Sequence, residues 1–196
     1  MTSVVDVCNS ALNMIGASNI TALTEDSKAG RLCAQRFGFI RDTISRSHPW
    51  NCLTIRTSLA ADSAAPEFEF TKQFTLPTDP FCLRVLGLSN PDTLFRIEGR
   101  KLICNEDTIQ MSYIGRITDI NEYDALLIET IAAYLAADIA YPLVASSALR
   151  DRATAEAAQK MREARFVDAS EDNQINTSVL GDSRTLAADT FITSRF

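Results

Sequence analysis

The chain has 196 residues, with 25 acidic against 19 basic side chains and a formal net charge of −6. Apolar residues make up 46% of it, enough for a substantial core without metal or disulfide staples. The acidic balance excludes a protein whose main work is gripping nucleic acid, and a single histidine excludes most histidine-based metal-hydrolase and acid–base designs.

In chain order, Val4, Cys8, Ala11, Leu12 and Ile15 recur at helical spacing, with Ser3 as N-cap and Gly16 as stop. They predict a first helix over 3–16. Asp6 and the lack of a basic leader argue against a signal peptide. A loop follows, and Thr24 or Asp26 caps a second helix over 26–48. Its stripe is Ala29, Leu32, Cys33, Phe37, Ile40 and Ile44, and Pro49 ends it.

Between 52 and 117 the texture changes. Leu53, Ile55, Thr57 and Leu59 alternate with polar neighbours, as do Phe68 and Phe70 with Glu67, Glu69 and Thr71. Residues 83–88 form a short apolar run, 95–104 read as a hairpin turning at Gly99, and Ile109, Met111 and Tyr113 complete the strands. A third helix is expected over 121–141, between Asn121 and Pro142, with Tyr123, Leu127, Ile131, Tyr134 and Leu135 on one side. The fourth starts at Ser146 or Ser147, carries Leu149, Ala153, Ala157, Met161 and Ala164, and runs to 167. The short joint makes helices three and four an antiparallel pair. No apolar run is expected to reach the roughly 18 residues of a bilayer span, so no membrane partner is predicted. Cys8, Cys33, Cys52, Cys82 and Cys104 form no CxxC pair and read as free thiols of a chain made in a reducing cytoplasm.

The fold class that follows is α+β. A four-helix core (1–50 and 118–167) is split by a β-rich insertion (51–117) and followed by an extended C-terminal arm (168–196). The arm's apolar residues, Ile175, Val179, Leu180, Leu186, Phe191, Ile192 and Phe196, are too dispersed for a private core. They read as anchors that bury on a partner.

Candidate chemistry is thin. His48 has Ser45, Ser47 and Asp42 nearby in sequence, but it reads as a structural anchor, a helix C-terminal histidine binding the last carbonyls. Trp50 reads as a core anchor at the corner that follows. Asp138 shares the apolar face of Leu127 and Ile131 and therefore needs a partner, for which Arg36 is the candidate. Glu67 with Glu69, and Glu106 with Asp107, are the carboxylate pairs a glycan hydrolase would need. Arg100 and Lys101 mark a hairpin tip that faces solvent, a tail partner or a DNA channel, with at most weak contact to packaged DNA. No catalytic residue, cofactor or metal is expected.

The series of short segments resembles the phage head-to-tail adaptor family, also called tail tubular protein A. The segments are His-Pro-Trp-Asn at 48–51, Thr-Ser-Leu-Ala at 57–60, Leu-Pro-Thr-Asp at 76–79 and Leu-Arg-Val-Leu at 83–86, then Glu-Gly-Arg-Lys-Leu at 98–102. Tyr-Ile-Gly-Arg-Ile-Thr-Asp at 113–119 and the alanine-rich 135–143 follow in order, so the resemblance runs over roughly 4–165. It implies a structural virion protein at the head–tail junction, a dodecameric ring of copies beneath the portal. It also implies an arm that climbs onto the portal protein and a lower face that receives the tail nozzle protein. Cys52 stands where that family usually has a larger apolar residue, and the fourth helix lacks its central aromatic. Two other readings stand beside it, a tail-associated glycan hydrolase and a purely helical head-completion protein. The β-rich insertion separates the last from the first.

Overall fold

The structure is a computed structural model that describes residues 2–171. It is α+β, with four helices and two small antiparallel sheets. The expected arm lies outside the described residues, apart from its first four.

Helix α1 spans Val4–Met14. Ser3 caps it reciprocally: Asp6 N–H donates to Ser3 Oγ at 3.2 Å, and Ser3 N–H donates to Asp6 Oδ2 at 2.8 Å. Helix α2 spans Lys28–Ser47, and its cap is Ser27 rather than Thr24 or Asp26. His48 is extended, as a residue before proline must be.

Strands β1 (Thr54–Ala60), β6 (Thr108–Gly115) and β3 (Cys82–Leu88) form the first sheet in the order β1-β6-β3. The second is β2 (Lys72–Thr75), β5 (Lys101–Cys104) and β4 (Arg96–Glu98), in the order β2-β5-β4. The hairpin at Gly99 forms as expected, with Glu98 opposite Lys101 and Gly99 at φ 58°, a conformation a two-residue turn asks of its first residue. The strand expected around Phe68 and Phe70 does not form. Phe68 is exposed, Glu69 sits at φ 72°, and the pairing strand begins at Lys72 instead.

Alternation along β6 explains how the sheets pack. Ile109, Met111 and Tyr113 are buried against Phe74, Leu102 and Cys104 of the second sheet, while Gln110 and Ser112 line the opposite face. At its end β6 changes allegiance. Ile114 joins Leu83, Leu53 and Trp50 in the main core with the helices. The insertion is therefore welded to the helical body through one end of the first sheet.

Helix α3 (Ala125–Val144) is the centre of that body, touching α1, α2 and α4. Asp124 rather than Asn121 caps it, and a short 3-10 turn at Ile120–Glu122 precedes it. The expected stop before Pro142 is corrected: the helix passes Pro142 and ends at Ala145, whose left-handed backbone lets its N–H reach Tyr141 O at 2.9 Å. A proline this close to the C-terminus removes one hydrogen bond, the one to Asp138 O. Lys28 donates to the Pro142 carbonyl and supplies a cation at the negative end of the helix dipole.

The expectation of no span-length apolar stretch is also corrected. α3 has 20 residues and a mean hydropathy of 1.5, long and apolar enough to cross a membrane. Here Leu127, Ile131, Leu135 and Ile139 are buried beneath the neighbouring helices, the place of a core helix. Helix α4 spans Ser147–Glu171, four residues past its expected end.

Candidate functional site

A heavily bonded polar cluster lies where α2 turns into β1, at His-Pro-Trp-Asn 48–51, and it meets the last turn of α4. Proline at 49 forces His48 out of the helix, so its ring cannot serve the final carbonyls of α2 as expected. Instead Nε2 lies 2.9 Å from Asp168 Oδ2. A carboxylate only accepts, so the proton sits on Nε2.

Asp168 is 8% exposed and is fully occupied. Its Oδ1 accepts from Asn51 N–H at 3.0 Å, and its backbone carbonyl accepts from Asn51 Nδ2 at 3.0 Å. One turn earlier, Arg165 Nη2 donates to Ser47 Oγ at 3.0 Å. A carboxylate in the last turn of a helix opposes the helix dipole, and these donors offset that cost. Trp50 lies beneath, fully buried, its Nε1 donating to Ile44 O at 3.0 Å. The His48 ring meets the indole edge-to-face, with centroids 4.7 Å apart. Trp50 is thus the corner anchor the sequence predicts. Asp168 is not the start of an arm but a buried clamp. Its signal was present, since the stripe Ala157, Met161, Ala164 continues at i+4 to 168.

No nucleophile relay forms at this corner. Ser47 Oγ donates to Ile44 O, Ser45 is buried within α2, and Asp42 pairs with Arg41 at 2.8 Å and Arg116 at 2.6 Å.

Arg36 and Asp138 do meet. The guanidinium grips the carboxylate in a fork, Nε to Oδ2 at 2.6 Å and Nη2 to Oδ1 at 3.1 Å. The pair is not on the buried face, because Asp138 stands at the rim of a groove of about 470 Å³ between α2 and α4. Ile40 and Ile44, Tyr134 and Thr154 line that groove, and Phe39 stands 68% exposed at its edge.

The hairpin tip is spent on structure rather than left free. Arg100 folds back so that Nη1 donates to Cys82 O at 2.7 Å and Nη2 to Pro77 O at 2.6 Å, with its charge 3.9 Å from the Phe81 ring centroid. Lys101 pairs with Asp62 and donates to Thr75 Oγ1 at 2.7 Å. Lys101 in turn holds the Asp62 carboxyl below the usual range.

The hydrolase carboxylates are dispersed. Glu67 and Glu69 share no strand, Glu69 pairs with Arg96 at 2.8 Å, and Asp107 pairs with Lys72 at 2.9 Å. Burial pushes the thiols of Cys52, Cys82 and Cys104 up, which fits protonated packing groups. Among the described residues no group of three or more His, Cys, Asp or Glu side chains is placed to hold a metal ion. The proposed anchors Ile175, Val179, Leu180, Leu186, Phe191, Ile192 and Phe196 lie outside the described residues.

Compared with protein-family models and with curated proteins, the chain matches none.

Proposed function

We propose that the chain is a structural adaptor of the phage head–tail junction, assembling as a dodecameric ring below the portal and carrying the tail nozzle. The observation that supports this reading most is the clamp at the corner. The segment that opens the resemblance, 48–51, is the one that holds the last turn of α4, through His48 and Asn51 on Asp168. The last described turn, up to Glu171, is therefore fixed to the body, as the root of a docking arm requires. Large apolar side chains left exposed on the helices, Phe39, Tyr141 and Phe166, add surface suited to contacts between copies and with partners. The two sheets favour this reading over a purely helical head-completion protein, and the dispersed carboxylates favour it over a glycan hydrolase.

Ring contacts are head-to-tail, one surface meeting a different surface of the next copy, and the portal supplies the template. The net charge of −6 opposes close packing of many free copies at low salt. The experiment is truncation after Glu171, which keeps the clamp intact. The shortened chain should fold and stay soluble yet lose stable attachment to its portal. Equal attachment would refute the role given to the arm.

A further inference from the structure

Three arginines converge where β3 faces the Gly99 turn and the end of α2. Arg46, Arg84 and Arg100 line one pocket of about 150 Å³, with Cys82 and Ile97 among its walls and no carboxylate. None of the three makes an ion pair with a described carboxylate; Arg56, Arg152, Arg162 and Arg165 share that, but only these three line a common pocket. In a chain of net charge −6, three unpaired guanidiniums around one hollow leave a strong local excess of positive charge.

Two of them are pre-set. Arg46 donates to Leu83 O, and Arg100 donates to Cys82 O and Pro77 O, so backbone carbonyls fix both planes. A guanidinium carries five N–H donors; Arg46 spends one here and keeps four, while Arg100, which also reaches Leu76 O at 3.5 Å, keeps two. The Arg84 side chain makes no hydrogen bond among the described residues and is exposed at the rim, free to close over a ligand. The Cys82 thiol reports the same field: burial pushes it up, while Arg100 and Arg46 pull it down.

We infer that this pocket is a binding site for a phosphate-class oxyanion, free or as a terminal phosphate group. The pocket is a small hollow of about 150 Å³. That suits one tetrahedral oxyanion and is too small for a phosphodiester held within a duplex. Planar forks of donors are the arrangement that recognises phosphate oxygens. This assignment does not depend on the adaptor reading.

The test is an NMR titration of the full chain with inorganic phosphate at constant ionic strength, following the arginine Nε–H signals and the Gly99 amide. A short duplex without terminal phosphates serves as a second arm. A saturable shift confined to Arg46, Arg84, Arg100 and Gly99 is expected, matched by sulfate and absent with chloride or the duplex. Arg84→Gln, which breaks no side-chain hydrogen bond or ion pair among the described residues, should weaken the affinity about tenfold and leave the melting temperature unchanged. No saturable shift at millimolar phosphate, an equal response in Arg84→Gln, or saturation by the duplex but not by phosphate would each overturn the assignment.

Discussion

Replacing Asp168 with alanine removes one carboxylate and strands two donors, the His48 ring N–H and the Asn51 backbone N–H. A buried donor left without an acceptor costs about 1–3 kcal/mol. The His48 side chain is 17% exposed, so water recovers part of its bond, and the sum discounts to about 2 kcal/mol. Asp168→Asn keeps an acceptor for Asn51, and its amide can donate to a neutral imidazole, so its loss should stay below about 1 kcal/mol. Urea unfolding followed by the chain's single Trp, Trp50, reads the global effect, because that indole packs directly against His48. Hydrogen exchange at residues 165–171 reads the local one, since the last turn of α4 should fray before the core opens. If Asp168→Ala unfolds within about 0.5 kcal/mol of the parent and exchange at 165–171 does not rise, the clamp does not hold the helix end.

Further outcomes follow from particular positions. Gly38→Ala, where a new Cβ meets nothing within 4 Å, should stabilise α2 by about 0.5–1 kcal/mol. Gly30→Ala should instead destabilise, because its Cβ would fall 2.8 Å from the Glu25 carbonyl and 3.2 Å from the capping Ser27 Oγ; paired thermal melts give both signs. Burial pushes the Tyr123 hydroxyl up to about 12, so the folded state keeps a proton that the unfolded chain releases near pH ~10. The stabilisation is complete below pH ~10 and should be lost as pH rises towards 12, about 2–3 kcal/mol in all. Tyr123→Phe should flatten that alkaline limb in part, with the buried Tyr113 and the thiols of Cys52, Cys82 and Cys104, all raised by burial, contributing to the remainder. Arg100→Ala should loosen the 77–82 turn at a cost of about 2–3 kcal/mol, read as faster exchange at Cys82, whose N–H bonds Pro77 O.

What could be read in advance was what local chemistry decides. Stripes at helical spacing placed all four helices, Pro49 placed the end of α2, and Gly99 placed the hairpin. What escaped depends on partners distant in sequence. Asp168 looks like the first acid of a tail until Asn51 and His48, some 117 and 120 residues earlier, arrive beside it. Phe68 and Phe70 alternate as a strand should, yet alternation does not supply a pairing neighbour, and β5 pairs with 72–75 instead. Arg100 belongs to a turn by local rules, but the carbonyls of Pro77 and Cys82 lie within its reach and take its charge inward. Pro142 was read as a stop because the rule describes helix interiors, where its lost bond matters more than it does in the last turn.

The adaptor reading turns on whether this chain and its portal make one symmetric object. Native mass spectrometry of the full chain, alone and mixed with its purified portal protein, measures this directly. The reading predicts small species for the free chain and, with portal present, a complex holding one copy per portal subunit. No complex, a fixed dimer on the portal, or complete rings formed by the free chain at micromolar concentration would contradict it.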